Sequence, residues 1–326
     1  MISRITAFIL FLFISQASFA LPTAKVTIKV IDQSGAPVED VQVKVFFKLK
    51  GYRSNTDRGL TDENGEFVAS ASTTQHVGGC MVQKEGYYDG FCRDYNERIF
   101  TGISGIKGFR RWQPWNPTIT VVMKKIKNPI ALYMRNIRQS DRNGNLTLVM
   151  PSKQAGFDLL VSDWVAPYGS GLQADIMFSI ESSYFSRKNF RHVLTVRFPG
   201  EGNGIQLHHV GDENSSVFRL PYHSPVDGFI NELKQVYEKN PRKAYKSPFD
   251  DNRYFFFRIR SEYDKKGELS SALYGKIEGD ISFGGTTILE TAWLMFKYYL
   301  NPIQNDTNLE FDPEKNLFGD KFIRKE

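Results

Sequence analysis

Alternation of apolar with polar residues at a period of two constrains this chain more than any other feature. Val26, Ile28 and Val30 share one parity, as do Val41, Val43, Val45, Phe47 and Leu49, and again Ile119, Val121 and Met123. Successive side chains of a strand point to opposite faces, so each run lays one apolar face on a core and turns the other to water. An α-helix would scatter the same residues around its circumference. Asp32-Gln33-Ser34-Gly35 and Asp62-Glu63-Asn64-Gly65 carry turn chemistry, with glycines free to take positive φ. From Ala24 to Ile126 the pattern predicts antiparallel sheet with one solvated face. Lys124, Lys125, Lys127 and Asn128-Pro129 then read as a boundary.

Residues 127–326 are also strand-like but richer in aromatics. His192, Leu194, Val196 and Phe198 alternate with Arg191, Val193, Thr195 and Arg197. Tyr254 to Ile259 and Ile288 to Leu300 are apolar on both faces, as strands in the middle of a packed sheet are. One amphipathic helix is expected over residues 225–239. Ser224 would cap it, Pro225 suits its first position, and Asp227 sits at the capping-box spacing. Val226, Phe229, Ile230, Leu233, Val236 and Tyr237 then recur at helical intervals until Asn240-Pro241.

The run Gly35-Ala36-Pro37-Val38 with Val41, Val43 and Val45, then Thr61-Asp62-Glu63-Asn64-Gly65-Glu66-Phe67 and Lys84-Glu85-Gly86-Tyr87, resembles the carboxypeptidase regulatory-like domain. That resemblance covers about a third of the chain and implies a small transthyretin-like β-sandwich. Residues 89–117, with Cys92, Trp112 and Trp115, look like an insertion into it. The expected fold class is therefore all-β: an immunoglobulin- or transthyretin-like β-sandwich over residues 21–126, and a larger β-sandwich or jelly-roll-like domain over 127–326 that carries the helix. Modules of this family often accompany a zinc carboxypeptidase, whose His-x-x-Glu motif is absent: none of His76, His192, His208, His209 and His223 has Glu three residues on.

Residues 1–20 read as a signal peptide. Arg4 precedes the apolar run Ile5 to Ile14, and Ser18-Phe19-Ala20 places small residues where signal peptidase reads them. Ten apolar residues fall short of the roughly 20 that cross a bilayer, and no later stretch reaches that length without charge. Cleavage after Ala20, with a secreted or periplasmic product, is the expectation. Loss of Arg4 takes the formal net charge from +6 to +5. The 42 Lys and Arg are dispersed among 36 acids. Lys107, Arg110 and Arg111 form a local basic cluster beside aromatics, which reads as a solvated loop, so no nucleic acid is expected as partner.

Cys80 and Cys92, separated by turn-like Gly86 and Gly90, are placed to bridge a hairpin as a disulfide outside the cell. His208-His209 cannot easily share one metal ion, because neighbours in a strand face opposite ways. Asp62 to Thr73 lacks the glycine and glutamate positions of a calcium loop. Asp306, Glu310 and Asp312 supply oxygen ligands that could gather calcium, but more often such residues decorate loops. No Gly-x-Ser-x-Gly, phosphate loop or dinucleotide fingerprint occurs. Neither catalytic residue, metal nor cofactor is assigned. Amphipathic rings supply the binding candidates: Trp112 and Trp115 among Arg, Gln, Pro and Asn, and Trp164 and Tyr168 in a Pro/Gly-containing segment. The expectation is a non-catalytic binding or structural protein of the cell envelope or extracellular space, its partner a glycan or another envelope protein. The rival is a carbohydrate-active hydrolase using acids such as Asp158, Asp163, Asp175 and Glu181. Asn145, Asn214 and Asn305 begin three glycan-acceptor triplets of use only in a eukaryotic secretory pathway.

Overall fold

The structure, a computed structural model, describes residues 21–319 except 76, 93–99, 107–108, 138–147, 151–152, 212–214, 243–244, 246 and 287–290. The expected signal peptide, Lys107, Asn145 and Asn214 lie outside the described residues. The chain divides into two units. One holds Met1–Ile126 with Asp212–Arg219, the other Lys127–Gly211 with Leu220–Glu326. The first unit thus takes back a short piece of the later sequence that a single break at 126 would have left out. Among the described residues the fold is all-β, with no α-helix.

The first unit contains β1 (Thr23–Asp32), β2 (Gln42–Lys48), β3 (Ser54–Leu60), β4 (Glu66–Ser72), β5 (Val77–Gln83), β6 (Gly90–Cys92), β7 (Gly102–Ser104), β8 (Arg111–Gln113) and β9 (Thr118–Met123). Val26, Ile28, Val30, Val41, Val43, Val45, Phe47, Ile119, Val121 and Met123 are all buried in one core, as their shared parity requires. β1 pairs antiparallel with β4 and parallel with β9. β3 and β4 are joined through side chains: Asn55 Nδ2 donates to Ser72 O at 2.7 Å, and Asp57 Oδ2 accepts from Ser70 N at 2.9 Å. Gly65, at φ +73°, has no room for a Cβ, which would lie 2.3 Å from Val30 O. Cys80 and Cys92 face each other across β5 and β6, Cα atoms 4.9 Å apart, and form the disulfide.

The second unit contains β10 (Tyr133–Ile137), β11 (Leu148–Val149), β12 (Gln154–Asp158), β13 (Asp163–Trp164), β14 (Ile176–Ser186), β15 (Asn189–Arg197) and β16 (Gly204–His209). The chain then gives β17 (Ser215–Ser216) to the first unit, where it lies between β6 and β9. It returns as β18 (Glu232–Lys239), β19 (Arg253–Tyr263), β20 (Leu269–Thr286) and β21 (Thr291–Leu300). One sheet runs β10-β21-β20-β19-β16 and the other β13-β12-β14-β15-β18. Phe157, Phe178, Leu194 and Val196 of the second sheet share a core with Phe257, Ile277, Phe283 and Phe296 of the first, which makes the unit a β-sandwich.

The helix expected over 225–239 does not form. Residues 232–239 are β18, paired with β15 from Phe190↔Lys239 to Arg197↔Glu232. Leu233, Gln235 and Tyr237 turn inward, while Lys234, Val236 and Glu238 are exposed. Over residues 232–239 eight ladder positions outweigh a local helical pattern that drew on Leu233, Val236 and Tyr237.

Candidate functional site

The outer face of the five-stranded sheet carries an open polar site. Register places Gln154, Ser179, Thr195 and Lys234 in one row across β12, β14, β15 and β18. Met177, Arg197 and Glu232 form the adjacent row. The two rows line a shallow depression of about 200 Å³. Each strand contributes alternate residues, so the same parity that buries Phe178, Leu194 and Val196 delivers these side chains to solvent.

Charge in the depression is organised around Arg197. Its Nε and Nη2 donate to Glu232 Oε2 at 3.0 and 2.6 Å, and Lys234 Nζ lies 3.2 Å from Glu232 Oε1. The Arg197 hydrogen bond, and after it that of Lys234, holds the Glu232 carboxyl below its ordinary range. Two cations against one carboxylate leave the site net positive. Beside them stand two hydroxyls, one amide and the Met177 thioether, so the face can donate to oxygen and lie against an apolar ring edge. Arg197 and Thr195 were legible as the polar parity of β15. Gln154, Ser179 and Lys234 were not, because strands far apart in sequence bring them alongside.

The aromatic candidates do not assemble into a platform. Trp164 is buried against Phe157 and Phe178, edge-on at 5.4 and 6.2 Å, and so belongs to the core. Trp112 is half-buried on the core of the first unit, its Nε1 donating to Thr73 O at 3.2 Å. Trp115 lies 4.7 Å from the Arg111 guanidinium. Tyr168 is exposed.

Two of the acids named from the sequence do meet. Arg260 Nη2 donates to Asp158 Oδ1 and Asp175 Oδ2, each at 3.1 Å, and Nε to Asp175 Oδ1 at 2.8 Å. Arg260, at φ +52°, stands where the β19–β20 register shifts, and this bulge re-aims its side chain. Asp158 also accepts from the backbone N–H groups of Leu160, Val161, Leu172 and Gln173, and Asp175 from that of Leu159. Both carboxylates are buried and their lone pairs are committed to holding the 159–173 loop. Asp163 is similarly engaged by Ser170, and Glu181 is exposed on the sheet.

The three acids near the end take separate tasks. Asp306 accepts from Asn308 N, buried Glu310 from Lys127 N and Asn128 N, and Asp312 caps the 3-10 turn at Pro313–Lys315. Among the described residues no three His, Cys, Asp or Glu side chains gather as metal ligands. His208 packs on Phe256 while His209 Nδ1 lies 3.9 Å from Asp250, on the other side of β16.

No protein-family model matches the chain, and no curated protein matches it. Among solved structures it is similar to 3-chlorocatechol 1,2-dioxygenase from Rhodococcus opacus 1CP, at 14% identity with a TM-score of 0.25. The match covers 33% of this chain and 62% of that one, so the chain spans less than two thirds of the enzyme's length. A likeness of that degree carries no argument about fold or activity.

Proposed function

We propose that this chain is an exported, non-catalytic binding protein that holds an acidic glycan on the outer face of its five-stranded sheet. The observation that carries the proposal is the in-register row Gln154, Ser179, Thr195 and Lys234 beside Arg197. A sugar chain offers hydroxyls to that row and a C–H face to Met177. The Arg197 fork already grips a carboxylate, and the same geometry receives that of a uronic acid. A wide, shallow depression suits an extended ligand that passes across the strands. The first unit, whose turn motifs resemble a carboxypeptidase regulatory-like domain, serves as an accessory module in this scheme.

Calorimetric titration with an oligouronate and with a neutral oligosaccharide of equal length tests the proposal. The oligouronate is expected to bind at least about tenfold more tightly, and Arg197→Ala to remove about that factor, as loss of a charge-assisted fork does. Glu232→Gln, which frees Arg197, is expected to tighten binding. Arg197 is exposed, so its substitution leaves the thermal midpoint in place. Equal affinity for the two sugars, or an Arg197→Ala protein that binds as before, refutes the proposal.

A further inference from the structure

The hairpin of β7 and β8 presents a surface of different chemistry. Ile103 pairs with Trp112 near its base, and Gln113 Nε2 donates to Ser104 Oγ at 2.8 Å. The base is fixed to the unit: Trp112 is edge-on to Phe100 at 6.4 Å, its Nε1 bonds Thr73 O, and Thr23 N donates to Arg110 O at 3.0 Å. Toward the tip, Phe109 N donates to Ile106 O at 2.9 Å, and Gly105 takes φ +104° where a Cβ would come 2.5 Å from Phe109 O.

This braced hairpin turns its large apolar side chains to water. Ile106 and Phe109 are each 76% exposed and Ile103 is 43% exposed. Arg110 and Arg111 beside them are exposed, and among the described residues neither is paired with a carboxylate. From Thr101 to Pro117 the sequence contains no Asp or Glu. Exposed apolar residues at Ile106 and Phe109, two arginines next to them in sequence, and the half-buried Trp115 indole against Arg111 supply the apolar, cationic and amphipathic groups that a membrane surface receives.

We propose that the β7–β8 hairpin is a reversible membrane anchor for an anionic phospholipid leaflet. Ile106 and Phe109 enter the boundary between headgroups and acyl chains, Arg110 and Arg111 lie at the level of the phosphates, and Trp115 rests in the interface. Burial of the two apolar side chains supplies the non-electrostatic part of the affinity, and the arginines make it depend on lipid charge and salt. The hairpin lies in the first unit and shares no residue with the glycan depression, so either assignment stands or falls without the other.

Co-sedimentation of the full chain with phosphatidylcholine vesicles, with and without about one quarter phosphatidylglycerol, tests the anchor. Partitioning is expected to be at least about tenfold stronger on the anionic vesicles and to weaken as salt rises. Ile106→Ser with Phe109→Ser is expected to lower it at least about tenfold, and Arg110→Gln with Arg111→Gln to remove most of the dependence on lipid charge. All four positions are exposed, so an unchanged thermal midpoint verifies folding, and the apolar run at residues 5–14 is common to every chain compared. The anchor is overturned if the double serine variant sediments as the unaltered chain does, or if neutral and anionic vesicles bind alike.

Discussion

Glu278 and Asp175 show opposite pH behaviour for physical reasons that their neighbours make plain. Burial alone would raise the Glu278 carboxyl, but Lys297 at 2.9 Å, the nearby Lys276 ammonium and the Tyr299 hydroxyl at 2.8 Å hold it below its ordinary value of 4.5. The unfolded chain therefore takes up a proton first, so Glu278 contributes stability above about pH 4.5 that is lost as pH falls through its lowered value. Glu278→Gln is expected to cost about 1–2 kcal/mol at neutral pH and to flatten the fall in thermal midpoint as pH drops below about 4.5. For Asp175 burial wins over Arg260 and raises the carboxyl above 3.8, so its contribution is present below 3.8 and declines as pH rises through the raised value. Asp175→Ala nevertheless strips Arg260 of its closest partner and leaves Leu159 N unpaired. Denaturant unfolding at neutral pH is expected to show a loss of about 3 kcal/mol. Asp158 and Asp175 could be picked out of the sequence as acids, but not as a pair, because the arginine that joins them lies some hundred positions away.

At the level of the element, β1, β2 and β9 were readable because the inward parity of each is apolar from Ala24 to Val30, Val43 to Phe47 and Ile119 to Met123. β18 was not, because its inward parity runs Leu233, Gln235, Tyr237. The central glutamine is buried only because its Nε2 reaches Asp280 Oδ1 at 2.8 Å, a partner 45 residues away. The strand assignment separates two neighbours that a helix would have buried together. Val236 is 41% exposed, so Val236→Lys is expected to change stability by less than about 0.5 kcal/mol. Tyr237 packs on Phe190 at 4.8 Å, Phe249 at 5.1 Å and Phe283 at 6.4 Å, and Tyr237→Ala is expected to cost about 3 kcal/mol. Urea unfolding of the two variants checks both; similar losses would restore the helical face. The β5–β6 disulfide was readable because its two cysteines flank turn residues within one hairpin. Replacing both by serine is expected to cost about 3 kcal/mol, and reductant to lower the midpoint of the unaltered chain alone.

For the molecule as a whole, the consequential departure from a simple division at residue 126 is β17. Two residues are too few for any periodicity, so nothing local marked this stretch as a strand of the first unit. Its bonds are nonetheless specific: Ser216 Oγ accepts from Lys124 N and donates to Tyr88 O, both at 2.9 Å, and Val217 N donates to Asp89 O at 2.9 Å. Phe218 stands edge-on to Tyr88 at 5.2 Å with Lys124 Nζ 4.1 Å from its ring. Ser216 is 2% exposed, so Ser216→Ala leaves a buried donor and acceptor without their hydroxyl and is expected to cost the first unit about 2 kcal/mol. A fragment ending at residue 126 lacks the strand altogether and should unfold at a lower temperature than the first unit does within the intact chain. Adding the peptide of residues 212–219 in trans should raise that midpoint by mass action. Calorimetry of the intact chain, the fragment and the fragment with peptide decides the matter. A fragment as stable as the first unit in the whole chain would mean that β17 decorates a sheet already complete. A lower midpoint recovered by the peptide would mean that folding of the first unit waits for the chain to return from the second.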